Sequence, residues 1–147
     1  MEDEVHEDGQ QTLIVTFLVG DSRYGLETSK VQEVVRATEI TPVCHAPDEV
    51  IGVMNLRGRI VTILDLGKKI GSGAQEISSE SRIFIVSMGQ EYVGLLVDQV
   101  SDVVPLEEGA LFPPPENVHK GHIHLLSGVF QSGEFLVAQL NLDEVLA

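Results

Sequence analysis

From Leu13 onward the chain returns, every 8 to 12 residues, to the same texture: a short run of β-branched and aromatic residues broken by Gly, Asp or Ser. Spacing of that kind belongs to all-β sandwiches and barrels. Residues 13–20 (LIVTFLVG) stop at Gly20-Asp21-Ser22 and resume at Tyr24-Gly25-Leu26, which predicts a hairpin. Residues 50–66 (VIGVMNLRGRIVTILDL) predict a second, turning at Arg57-Gly58-Arg59, and residues 82–97 a third, turning at Gly89-Gln90-Glu91. Strand texture follows over residues 100–105, at Gly128-Val129-Phe130 and over 134–142 around Ser132-Gly133. No long amphipathic helix is visible; only residues 143–146 suggest a terminal helical turn. Residues 29–37 (SKVQEVVRA) stay open, because Val31, Val34 and Val35 have helical spacing but valine is a poor helix former, and a short turn followed by a strand fits equally.

An internal echo sharpens the barrel reading. Tyr24-Gly25-Leu26 with Val31-Gln32-Glu33-Val34-Val35 is matched, 69 residues on, by Val93-Gly94-Leu95 with Val100-Ser101-Asp102-Val103-Val104. A second match, offset by 76, aligns Gly52-Val53 and Leu64-Asp65-Leu66 with Gly128-Val129 and Leu140-Asn141-Leu142. Two sub-barrels in one chain explain both, each half of about 70 residues being large enough to close a small barrel yet marginal alone. The Gly- and Ser-rich residues 68–81 then read as a flexible loop, with the break between subdomains near 70–81.

Charge narrows the partners. The formal charge of -14 repels a phosphate backbone. Five acids fall in the first eight residues, so residues 1–11 are expected to be an acidic disordered tail ahead of one domain over 12–147. Aromatics make up 5% of residues and Trp is absent, which leaves little for a base-stacking nucleic-acid surface. No apolar run approaches the roughly 20 residues of a spanning helix. A single cysteine, Cys44, and no secretory leader make the cytoplasm the expected compartment. Arg57, Arg59, Lys68 and Lys69 face only Asp65 in their stretch, a local reversal of sign that reads either as a solvated hairpin tip or as a docking point for an acidic partner.

Catalysis finds little footing. Cys44-His45 is the only thiol beside an imidazole, and neighbours on an extended stretch point to opposite sides. His119, His122 and His124 in HKGHIH could share a zinc ion, but no carboxylate lies among them, and ordinary loop histidines are the simpler reading. Neither a nucleophile elbow nor a phosphate-binding glycine loop is present, so neither an enzyme nor a cofactor is expected.

The run Gly52-Val53-Met54-Asn55-Leu56-Arg57-Gly58 leading through Ile60-Val61-Thr62-Ile63-Leu64 to Asp65-Leu66 resembles the signature of the CheW-like chemotaxis coupling proteins. The likeness extends to Tyr24-Gly25-Leu26 with Val31-Gln32-Glu33-Val34, to residues 94–103, and to Pro113-Pro114-Pro115 ahead of Gly128-Val129. It implies a mainly β fold of two SH3-like five-stranded β-barrel subdomains around a shared core. It also implies a non-enzymatic scaffold coupling chemoreceptors to a CheA-type histidine kinase, in flagellar chemotaxis or in a pilus or gene-regulatory pathway. The expected partners are the kinase regulatory domain and the receptor's cytoplasmic hairpin tip, with a monomer in isolation, ring assembly with kinase, and a place beside membrane receptor arrays.

By resemblance, Val31, Glu33, Val34, Asn55, Arg57 and Gly58 would face the receptor, with Val100, Asp102 and Val103 from the second barrel. Val43, Ile51 and Met54 are the expected exposed apolar anchors for the kinase. Arg57 could equally brace the hairpin. The family commonly has proline after Pro42-Val43 where this chain has Cys44-His45, which makes the loop less stiff.

Overall fold

Among the described residues, short apolar and branched runs build ten strands. The structure, a computed structural model, describes residues 11–107, 109–114 and 122–147. The segment expected to be a tail lies outside these residues except for Gln11, which opens the first strand. The strands are β1 (Gln11–Val19), β2 (Ser22–Glu27), β3 (Val31–Arg36), β4 (Val50–Leu56), β5 (Arg59–Asp65), β6 (Arg82–Met88), β7 (Glu91–Val97), β8 (Gln99–Glu107), β9 (Leu126–Ser132) and β10 (Phe135–Leu140). Short helices α1 (Leu66–Lys69) and α2 (Leu142–Leu146) follow β5 and β10. The open question at residues 29–37 resolves as a 3₁₀ turn, Thr28–Lys30, running into β3, where the branched valines alternate along an edge strand.

Two five-stranded sheets result, ordered β8-β1-β2-β10-β9 and β3-β6-β7-β5-β4. Adding five to each strand number of the first order, and returning to β1 after β10, yields the second, so the echo in the sequence is a whole-fold duplication. It reaches the details. The parallel pairings of β5 with β7 and β10 with β2 set Ile63 beside Gly94 and Gln139 beside Gly25. Asp65 caps α1 by accepting from the Lys68 amide, as Asn141 caps α2 by accepting from Glu144.

The halves are nevertheless not the barrels. Residues 70–81 connect β5 to β6 inside one sheet, whereas the chain changes sheet at Thr28–Lys30 and again at Asp98, between β7 and β8. Each hairpin, β1–β2 and β6–β7, is therefore completed by the three strands that follow the other. A half of this size buries too little alone, and exchanging strands gives both hairpins a full sheet.

Each barrel closes on an irregular strand. Thr41, just beyond β3, bridges Val53 of β4, and Phe112, beyond β8, bridges Val129 of β9. Gly52 and Gly128 make these closures possible: a Cβ at Gly52 would run into the Thr41 carbonyl, and one at Gly128 into that of Phe112. Between the barrels lies the main core, where Val15, Phe17, Tyr24 and Leu26 of one sheet meet Phe84, Val86, Leu95 and Val97 of the other. Phe17 and Phe84 meet edge to face, centroids 5.0 Å apart. Burial pushes the Tyr24 phenol up from its ordinary value, an effect only partly offset by its hydrogen bond with Ser22. The β3–β7 barrel has its own interior around Met54, Val61, Ile63, Ile83, Ile85 and Leu96, and the other a smaller one around Ile14, Phe130 and Val137.

The loop expected to be flexible is stitched down. Gln75 donates from its amide to Asp65 (3.1 Å) and from its side chain to Asp98 (3.0 Å), while Asp98 also accepts from the Gly20 amide at 2.7 Å. A chain of hydrogen bonds thus ties α1 to the crossover and to the β1–β2 turn of the other sheet.

Candidate functional site

Edge strand β3 and the β4–β5 turn meet at the open side of their barrel. The turn has two central residues, Arg57 and Gly58, at φ 51° and 86°, the type I′ geometry that favours Asn and Gly. Arginine in that region costs about 1 kcal/mol. Asn55 steadies the turn by accepting from the Gly58 amide at 2.8 Å. Arg57 reaches across the seam and grips Glu33 bidentately, with Nη1 to Oε2 at 2.9 Å and Nη2 on Oε1. The hydrogen bonds and charge of Arg57 hold the Glu33 carboxyl below its usual 4.5, and Glu33 raises the guanidinium. Arg57 is 69% exposed and Glu33 30%, so the pair clasps the seam while leaving one face of the guanidinium open.

Residues expected on one surface divide between two. Val34 pairs in register with Phe84, and Val103 with Val15; both partners belong to the core between the barrels, so Val34 and Val103 face that junction. They are 45% and 56% exposed and occupy equivalent positions of the repeat. Val31 and Val100, also equivalent, pack partly buried on the same core, and the more exposed Val34 and Val103 follow them on the same two edge strands. Glu33 turns instead to Arg57, and Asp102, its equivalent, borders a separate groove with Val104.

The anchors expected for the kinase separate as well. Val43 is 45% exposed in the loop before β4, and Ile51 is half-buried against the barrel interior. Met54 is 8% exposed inside that interior, so it is a core residue; barrel closure at Thr41, remote from the local pattern, buries it. The basic stretch is likewise spent within the molecule: Arg57 on Glu33, Lys68 on Asp48 (3.3 Å) and Lys69 near Glu49 (3.9 Å). Arg59 lies over the Tyr92 ring, 4.7 Å from its centroid. Each base of the stretch thus has a contact within the molecule, and Arg57 keeps the most exposed side chain of the three ion-paired ones.

The matching contact in the other barrel has cation and ring exchanged between strands: Arg23 on β2 lies 3.7 Å over Phe135 on β10. Neither cation–π pair was marked by local pattern, though extending the two offsets aligns Arg59 with Phe135 and Tyr92 with Arg23. Cys44 is exposed in its loop, and His45 sits at φ 61°. Of the histidine cluster, His119 lies outside the described residues. His122 packs its Nδ1 into the protein beside Gly71 while His124 is exposed. Among the described residues no group of three or more His, Cys, Asp or Glu could hold a metal ion, and no helix is long and apolar enough to cross a membrane.

Two interlocked barrels offering edge strands, a seam clasp and a valine-lined junction make a protein–protein adaptor. The chain belongs to the CheW-like family, whose CheW-like domain profile matches residues 13–147. It is 33% identical over 139 residues to Chemotaxis protein CheW of Klebsiella aerogenes, covering 95% of this chain and 82% of that one. Protein FrzA of Myxococcus xanthus is 31% identical over 131 residues, covering 88% and 82%. The crystal structure of the scaffolding protein TtCheW from Thermoanaerobacter tengcongensis superposes with a TM-score of 0.87 at 30% identity, covering 99% of this chain and 94% of that one. The protein is accordingly a non-enzymatic chemotaxis scaffold of mainly β fold.

Proposed function

We propose that this adaptor couples chemoreceptors to a CheA-type histidine kinase, binding the receptor's cytoplasmic hairpin tip at the junction between its barrels. The observation that carries the reading is the symmetric exposure of Val34 and Val103 beside the half-buried Val31 and Val100: apolar side chains at equivalent positions of two edge strands offer a surface suited to a helical hairpin. Arg57, Asn55 and Gly58 would add a second contact at the neighbouring seam, on the other side of β3, where Arg57 both braces the strand and presents its free face. Val43 and Ile51 are the apolar positions through which the first barrel would meet the kinase regulatory domain, the isolated monomer joining the kinase in a ring. The place of action is the cytoplasmic side of receptor arrays. No step is catalysed; output changes because receptor and kinase are held in one geometry, a coupling free energy between two binding surfaces.

The test is binding of the full chain to a receptor hairpin and, separately, to a CheA-type regulatory domain. V34D and V103D should each weaken receptor binding at least tenfold while leaving the far-ultraviolet spectrum and kinase binding unchanged. Wild-type protein that bound neither partner at tens of micromolar would overturn the reading. The likeness to FrzA, a relative with a different name, favours as second reading a chemosensory pathway other than the flagellar one. Measuring affinity for receptors of each pathway separates the two.

A further inference from the structure

The duplication makes the two barrel seams directly comparable, and they differ in one respect. In the β3–β7 barrel the seam is filled by Arg57, which reaches from its turn to Glu33. In the other barrel the offsets put Gly133 where Arg57 stands and Asp102 where Glu33 stands. Gly133 has φ 59°, close to the 51° of Arg57, so the first central position of each turn is left-handed, while the second is so at Gly58 and not at Glu134. A Cβ at Gly133 would meet nothing within 4 Å. The space is a groove of about 440 Å³ bordered by Thr16, Arg23, Asp102, Glu134 and Phe135.

The walls of that groove are already set. The Thr16 hydroxyl accepts from the Asp102 amide at 3.0 Å and donates to its carbonyl at 3.1 Å, fixing the backbone that carries the carboxylate. Arg23, the one base on the groove, is held against its walls rather than on Asp102: Nη1 donates to Ser101 Oγ at 2.6 Å and its guanidinium lies over Phe135. Among the described residues the Asp102 carboxylate has no ion-pair partner, whereas Glu33 has one. With Asp102 and Glu134 against Arg23, the groove carries a surplus negative charge.

We propose that the seam groove of the second barrel is a guanidinium site, in which an arginine side chain of a protein partner pairs with Asp102 as Arg57 pairs with Glu33 in the first barrel. One barrel supplies its own arginine; the other leaves the position to be supplied in trans. The site is distinct from the valine-lined junction, since Asp102 and Val103 face opposite sides of β8.

Titrating ¹⁵N-labelled full-length protein with N-acetyl-arginine amide tests this. Saturable shifts centred on Thr16, Asp102 and Gly133 amides are expected, with Kd of about 1–10 mM. N-acetyl-lysine amide should bind several-fold more weakly, because it cannot engage a carboxylate bidentately. D102N should lose the response, and G133R, which places an arginine at the turn position that Arg57 occupies in the first barrel, should abolish it. Shifts that fail to saturate, or that persist unchanged in D102N, overturn the proposal, and D102N decides the matter even if G133R does not fold. Failure here leaves the receptor reading standing, because that reading is judged on V34D and V103D.

Discussion

At the scale of single residues the Arg57–Glu33 clasp governs what can be expected of the seam. The pair is exposed and screened by solvent, so R57A should lower Tm by no more than roughly 3 °C. If receptor binding then falls tenfold or more, the free face of the guanidinium is an interface; a fall of 6 °C or more would make it chiefly a brace. The pH dependence has a definite sign. Because Arg57 depresses the Glu33 carboxyl in the folded protein, its contribution is present above the ordinary glutamate value of 4.5 and is lost as pH falls through the lowered folded value. Urea midpoints of wild type and E33Q should therefore differ at pH 7 and converge on acidification; a gap that widened toward acid would contradict the assignment. Asp65 belongs to the same scale. It is 4% exposed and accepts from the Lys68 and Gln75 amides, so D65A should cost about 2 kcal/mol, or roughly 4–8 °C in Tm.

Elements depend on closures that local pattern does not announce. G52A should drive a methyl into the Thr41 carbonyl, costing about 2–3 kcal/mol. It should also accelerate hydrogen exchange at the Thr41 and Val53 amides while leaving the Phe112 and Val129 pair protected. The same logic explains what could be read in advance. Hairpins such as β4–β5 were visible because alternation and turn residues act over neighbouring positions. The character of β3 was not, since three valines satisfy both periods until β6 pairs with them. The burial of Met54 is not legible locally because it follows from a bridge made by Thr41, 13 residues upstream, and the ion pair of Lys68 is not because its partner, Asp48, sits on a separate loop. The valine junction was anticipated as residues, yet Glu33 and Asp102 were grouped with it because the faces of an edge strand are assigned only once its register is known.

For the whole molecule, the exchange of strands between halves predicts how it comes apart. Cleavage near residue 76 should leave a complex that still migrates as one species, since β1–β5 and β6–β10 share both sheets and the central core. The isolated fragments should be largely unstructured and should regain β signal on mixing; a fragment folding alone would show that one half closes its own barrel. F84A, which empties the centre between the barrels, should cost about 3–5 kcal/mol and bring both barrels down in one transition. The same exchange sets a timetable for synthesis. The β3–β7 barrel is an unbroken stretch of chain and has all its strands once residue 97 has left the ribosome. The hairpin that precedes it must carry Val15, Phe17 and Val19 unfinished until β8, β9 and β10 arrive, so a hairpin made before that barrel is completed after it.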